Sequence, residues 1–203
     1  MKLAILGASG RTGRLLTERA LAAGHQVRVL VRTAAKLSLQ HPHLEVRVGD
    51  STDRASVQGL VDGCDAVISA VGPVPGRVDV CSVTAGQVIA AGAKRYVAIS
   101  GAGIDVPGDD KDLVGKLVSR LVRLFSPGVF ADKVREHALL EASAIGWTLV
   151  RPPRLVDRPA SGKISSSLTR APGSSISRGD LAEFVLSAVS NDGLIRKAPF
   201  VSS

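Results

Sequence analysis

Seven residues near the amino end, Gly7-Ala8-Ser9-Gly10-Arg11-Thr12-Gly13, hold three glycines three residues apart with an arginine between the last two. Backbone amides in a glycine turn can approach an anion closely, and a helix opening from such a turn adds about half a positive charge at its N-terminus. That chemistry suits a phosphate, although glycines also serve tight turns simply by allowing positive φ. Further along, VLVR ends on Arg32, and Lys36 follows one helical turn later. An acidic residue at this place would bind the ribose hydroxyls of NAD, whereas an arginine accommodates the 2′-phosphate of NADP. Guanidinium groups grip phosphate in two-pronged fashion. Arg11, Arg32 and Lys36, with no carboxylate beside them, therefore favour NADP over NAD. Asp50, after VRVG, stands either at the adenine edge or as the cap of the next helix.

The glycine turn is informative only if a strand precedes it and a helix follows. Lys2 to Leu6 is a short apolar run, and Arg14 to Ala23 places Leu15, Leu16 and Ala20 at helical spacing before Gly24. Strands are then expected at Gln26 to Val31, Leu44 to Val48, Ala66 to Val71, Arg95 to Ser100 and Trp147 to Arg151. Helices are expected at Ala34 to Leu39, Arg54 to Leu60, Val80 to Ala91, Asp132 to Ala144 (ending at Gly146) and Asp180 to Val189. This alternation predicts an α/β Rossmann fold, a doubly wound parallel sheet with helices on both faces, in one domain spanning 1–203. Two stretches interrupt it. Residues 101–127 contain the basic amphipathic run Lys111 to Phe125, and residues 152–176 are rich in Pro, Gly and Ser. Both fall at the carboxyl edge of the sheet and are expected to form a substrate pocket and its lid. The basic run suits a lid or a dimer contact, and its amphipathicity is also compatible with an anionic membrane.

The 203 residues carry a net charge of +8, with 45% apolar and only 3% aromatic residues. A basic balance raises nucleic acid, anionic lipid or a small polyanion as partners. Because the cations are spread along the chain and aromatics for base stacking are scarce, a basic surface plus a phosphate-bearing cofactor is expected, with no nucleic acid. Cys64 and Cys81 have no paired spacing and read as free thiols; His41 and His43 lack thiol or carboxylate company, so no metal site is expected. No apolar run reaches the eighteen residues of a membrane span, and the initial one is too short for a signal peptide, which points to the cytoplasm. A monomer or homodimer is expected.

GASGRTG, VLVR, VGD, LLEASAIGWTLVRPPRLVD and ISRGDLAEF together resemble the atypical short-chain dehydrogenase/reductases with an NmrA-like NADP-binding fold. Within these the chain looks closest to the flavin reductase and biliverdin-IXβ reductase family, over nearly its whole length. The resemblance implies that NADP(H) runs from Gly7, Ser9, Gly10, Arg11, Thr12 and Gly13 past Arg32 and Lys36 to Asp50 and Ser51, above Ala70, Val71 and Gly72. It implies a nicotinamide near Ser100, Pro152 and Pro153, with Lys133 facing the cofactor. One departure matters. Short-chain dehydrogenases that oxidise alcohols pair a tyrosine with a lysine four residues later. Here the residue four before Lys133 is Val129, and the sole tyrosine, Tyr96, is followed at that spacing by Ser100.

Without that acid, carbonyl reduction loses its proton donor, whereas a flavin, quinone or linear tetrapyrrole delocalises the incoming charge and takes its proton from water. The expected activity is thus an NADPH-dependent reductase of a conjugated acceptor, with flavin foremost. An NADP-binding redox sensor and an epimerase- or dehydratase-like enzyme are the alternatives. Ser100, Lys133 and Arg154 are the candidate catalytic residues. Arg154 either holds an acidic group of the acceptor or pairs with Asp157, and Ser100 either bonds a ligand or starts a turn. His137, one turn after Lys133, is either a proton relay or a helix-surface histidine. Ser177 to Asp180 has capping-box spacing and reads as structure.

Overall fold

The computed structural model describes residues 1–74 and 76–203. Six strands form the central sheet: β1 (Lys2–Leu6), β2 (Gln26–Val31), β3 (Leu44–Val48), β4 (Ala66–Ser69), β5 (Arg95–Ile99) and β6 (Gly146–Val150). Their order is β3-β2-β1-β4-β5-β6, and every neighbouring pair is parallel. The chain begins in the middle, runs to one edge, and returns past β1 to build the other half. This puts a topological switch point between β1 and β4, where ligands of doubly wound folds bind.

The apolar content of these strands follows from burial on both faces. On one face α1 (Arg11–Ala22) and α6 (Arg178–Val189) press Leu16, Ala20, Leu181 and Val185 against Leu3, Ile5 and Val29. On the other, α2 (Arg54–Val61), α3 (Val80–Ala90) and α5 (Pro127–Ala142) supply Val57, Leu60, Val88 and Leu140 against Leu6, Tyr96 and Leu149. Helix ends carry unpaired carbonyls that burial would penalise. The buried Arg95 guanidinium answers two of them on α6, donating to Ala188 O at 2.6 Å and Val189 O at 3.1 Å.

Several elements depart from expectation. α1 starts at Arg11 rather than Arg14, and α5 starts at Pro127 rather than Asp132. Proline is well placed in a first helical turn, where its missing N–H would have no partner anyway. Gly146 opens β6 instead of marking the end of α5, and Ala34 to Leu39 shrinks to one 3-10 turn at Ala34–Lys36. The basic run becomes α4 (Leu113–Phe125), capped by Asp112, which accepts from Gly115 N at 2.7 Å. The Pro/Gly/Ser-rich stretch contains β7 (Arg154–Val156) and β8 (Ser165–Ser167), with β9 (Ser175–Ser177) at its end. β7 pairs with β9, and β8 pairs with β10 (Phe200–Ser202), a strand not anticipated. Short polar strands of this kind carry no periodicity of their own and form only because a distant partner is present.

Candidate functional site

Between the carboxyl ends of β1, β2 and β4 lies a cavity of about 250 Å³ lined by Gly7, Ser9, Gly10, Val31, Arg32, Asp50, Ser51, Ala70, Val71 and Gly72. Gly7 takes φ +78°, and a Cβ on Gly13 would fall 2.0 Å from Gly7 O, so the turn closes onto the helix only because both are glycines. Gly10 N donates to Gly7 O at 3.0 Å and Arg14 N to Gly10 O at 2.9 Å. Between them, the amides of Arg11, Thr12 and Gly13 have no partner among the described residues, no side chain caps the helix, and its first turn holds no acid. Four other helices differ, whereas α5 also lacks a side-chain cap and a first-turn acid but opens on Pro127, which carries no amide hydrogen. Asp53, Asp112 and Ser177 cap α2, α4 and α6, and Asp132 accepts from the first-turn amides of Cys81 and Ser82 in α3. An open, positive helix end facing a cavity fits a pyrophosphate.

The cavity's charged residues refine this fit. Arg32 is exposed at its rim, and Arg77, which the sequence did not single out, joins it. The Arg77 guanidinium lies 3.1 Å from Thr52 Oγ1 and 3.9 Å from Asp50. Its only trace in the sequence is a cation just beyond the glycine and proline stretch after β4. Asp50 accepts from the hydroxyl and amide of Thr52 at 2.7 and 2.9 Å, and these bonds, aided by Arg77 and Arg32, hold its carboxyl below the ordinary carboxylate range. The helix-cap reading of Asp50 is corrected: Asp53 caps α2, accepting from Ser56 N at 2.8 Å. Lys36 and Arg11 do not line the cavity. Arg11 instead donates to Asp157 at 2.8 Å, and Arg178 holds the other oxygen of that carboxylate at 2.6 Å.

A second cavity, about 690 Å³, opens beyond β5 and β6. Residues from both interrupting stretches line it: Gly101 to Gly103 and Val114, Val118 and Val122 on one side, Pro152, Pro153, Arg154 and Arg170 on the other, with Phe200 also at its wall. Buried polar groups hold this assembly. Arg151 forms a two-pronged ion pair with Asp109, both contacts at 2.7 Å, beneath the Phe200 ring at 3.7 Å. The Lys111 ammonium donates to Ala102 O, Ile104 O, Asp105 and Ser119 at 2.6–3.0 Å.

The three candidate catalytic residues fare differently. Ser100 follows β5; its amide donates to Val150 O at 2.7 Å, while its hydroxyl is buried without a protein partner. Lys133 lines neither cavity. Its ammonium donates to Ile99 O at 2.9 Å and Glu136 at 3.0 Å. Burial, the largest single influence, pulls its pKa down, but Glu136 and Cys81 together outweigh this and raise it, so the group stays charged and fixed below the end of β5. Arg154 faces the large cavity, and its possible pairing with Asp157 is ruled out by Arg11 and Arg178, which occupy both oxygens. Tyr96 is in the core with its pKa raised by burial, leaving no phenol at either cavity. His137 is neither at a cavity nor on the open helix surface: its ring packs edge-on against Trp147 at 5.5 Å.

The sequence pattern of the NAD(P)H-binding family matches residues 7–192, beginning at the first glycine of the open turn. The chain belongs to that family. The chain therefore binds NAD(P)H, and the fold expected from the likeness to atypical short-chain dehydrogenase/reductases is the one observed. The uncharacterized protein YwnB of Bacillus subtilis (strain 168) is 27% identical over 171 residues, which cover 82% of this chain and 78% of that protein. Among solved structures, the anaerobillin reductase ChuY of Escherichia coli O157:H7 superposes with a TM-score of 0.83 at 18% identity, covering all of this chain and 97% of that one. A wide-type short-chain dehydrogenase/reductase of Veillonella parvula DSM 2008, in complex with NADP, gives 0.82 at 15% identity over all of this chain and 94% of that one.

Proposed function

We propose that this family member is an NADPH-dependent reductase that passes hydride to a conjugated acceptor, with flavin foremost and a quinone or linear tetrapyrrole as the other candidates. The observation that carries the reading is that two cavities of different character open along the carboxyl edge of one sheet. One is an open helix end with cations; the other is a wide, largely apolar groove flanked by the ends of β5 and β6, with no tyrosine at its wall. The likeness in fold to an anaerobillin reductase supports a reductase.

In this reading the α1 amides hold the pyrophosphate, and Arg32 with Arg77 takes the 2′-phosphate, so NADP is preferred over NAD. The nicotinamide, when bound, supplies the hydride. Pro152, Pro153 and Phe200 give the acceptor a flat apolar seat. Lys133 is a positioning residue: it fixes the carbonyl of Ile99 and so the place of Ser100. Charge arriving on a delocalised ring needs no protein acid, and solvent at the open groove supplies the proton.

The test follows nicotinamide absorbance while the protein is mixed with NADPH and, in turn, FMN, riboflavin, quinones and a linear tetrapyrrole. Acceptor-dependent oxidation by at least one is expected. Tight NADPH binding without oxidation across the panel would instead support an NADP-binding sensor, the reading favoured by the lack of a tyrosine and by a lysine wholly engaged within the protein.

A further inference from the structure

We propose that the large groove selects acceptors bearing an acidic group, a phosphate or carboxylate, and that Arg154 and Arg170 hold that group. The inference rests on the reductase reading for the identity of the site, but not for its charge selectivity.

Arg154 opens β7 and Arg170 lies in the segment after β8, so two chain segments bring guanidinium groups to one groove. Both residues are exposed, and neither forms an ion pair among the described residues. The groove's other charged lining residues are internally satisfied. Lys111 is buried with four acceptors around its ammonium, and Asp112, the sole lining carboxylate, is bonded to Gly115 N as the cap of α4. The remaining walls are glycine, alanine, valine, proline and phenylalanine, with a single serine. A neutral aromatic ligand would use only those walls. Two uncompensated guanidinium groups add a positive field at their rim, and their planar forks match phosphate and carboxylate oxygens. The ligand described by this surface has an extended apolar body with an anionic tail that reaches the rim.

FMN and riboflavin share one ring system and differ by a phosphate, so they isolate the tail. With the protein saturated by NADP⁺, which prevents turnover, quenching of flavin fluorescence measures binding. FMN is expected to bind at least about tenfold tighter than riboflavin, the size of one charge-assisted contact. The preference should shrink with added salt and fall to within about twofold in the double variant Arg154→Gln, Arg170→Gln, with riboflavin and NADP⁺ affinities unchanged. Equal affinities in the wild type, or a preference that survives in the double variant, would overturn the proposal. So would an absence of binding by both flavins together with equal binding of 1,4-naphthoquinone and its 2-sulfonate, or no binding of either quinone. FMN selectivity without NADPH oxidation would refute the reductase reading while leaving this one intact; oxidation of both flavins with equal KM would do the reverse.

Discussion

The two cavities both open at the carboxyl ends of strands in one sheet yet are built by different means. The cofactor cavity is backbone: a positive-φ glycine, a close turn and an uncapped helix end, contained largely within Gly7 to Gly13. The large groove is side chain: the Arg151–Asp109 pair and the Lys111 cluster fasten residues 101–125 to β6 and β10. A family can keep the first unchanged while altering the second, because loops and their anchors vary without disturbing the strand-turn-helix unit.

That contrast can be broken from either side, beginning with the largest expected effect. Arg151→Met leaves Asp109 buried beside only a shared lysine and should cost about 3–5 kcal/mol in the groove region. Hydrogen exchange is expected to rise across 101–125 and acceptor binding to vanish, while NADPH titration still reports a site. Conversely, Gly13→Ala forces a Cβ against Gly7 O, a clash of about 1–3 kcal/mol that shifts the turn. Calorimetry should then show NADPH binding lost and the groove's exchange pattern kept.

At the switch-point cavity, Arg32→Asp would remove the proposed charge-assisted contact to the 2′-phosphate, worth about 1.5–3 kcal/mol, or roughly ten- to a hundredfold in affinity. NADPH should weaken by that factor and NADH hardly at all; equal loss for both cofactors would refute the assignment. The smallest effect belongs to the link between the halves. Asp157 bridges Arg11 of the glycine turn and Arg178 of α6 across largely exposed surface, a contact of less than about 1 kcal/mol. Asp157→Asn should change NADPH affinity by no more than about fivefold, in the direction of tighter binding as Arg11 is released.

The same contrast explains what could be read from the sequence. The parallel strands and the lining residues Gly7, Arg32 and Asp50 follow from short-range signals, namely apolar runs, glycine spacing and the residue ending a strand, whereas Gly72 comes with the family likeness. Arg77 was missed because its place depends on how the chain folds back after β4, which no periodicity encodes. Arg11 read as a phosphate ligand because Asp157, 146 residues away, could not be seen as its partner. The family likeness puts Lys133 facing the cofactor, but Glu136 and Ile99 O, which engage it instead, become visible only in three dimensions. β7 to β10 and the anchors of the groove depend wholly on long-range pairing.

The central claim, hydride transfer from NADPH to an acceptor seated in the groove, is tested most directly by a single turnover with NADPH deuterated at the nicotinamide C4. The account predicts acceptor-dependent loss of nicotinamide absorbance that slows with the deuterated cofactor and disappears in Arg151→Met. Full NADPH occupancy with no acceptor-dependent loss for any flavin, quinone or linear tetrapyrrole would contradict it.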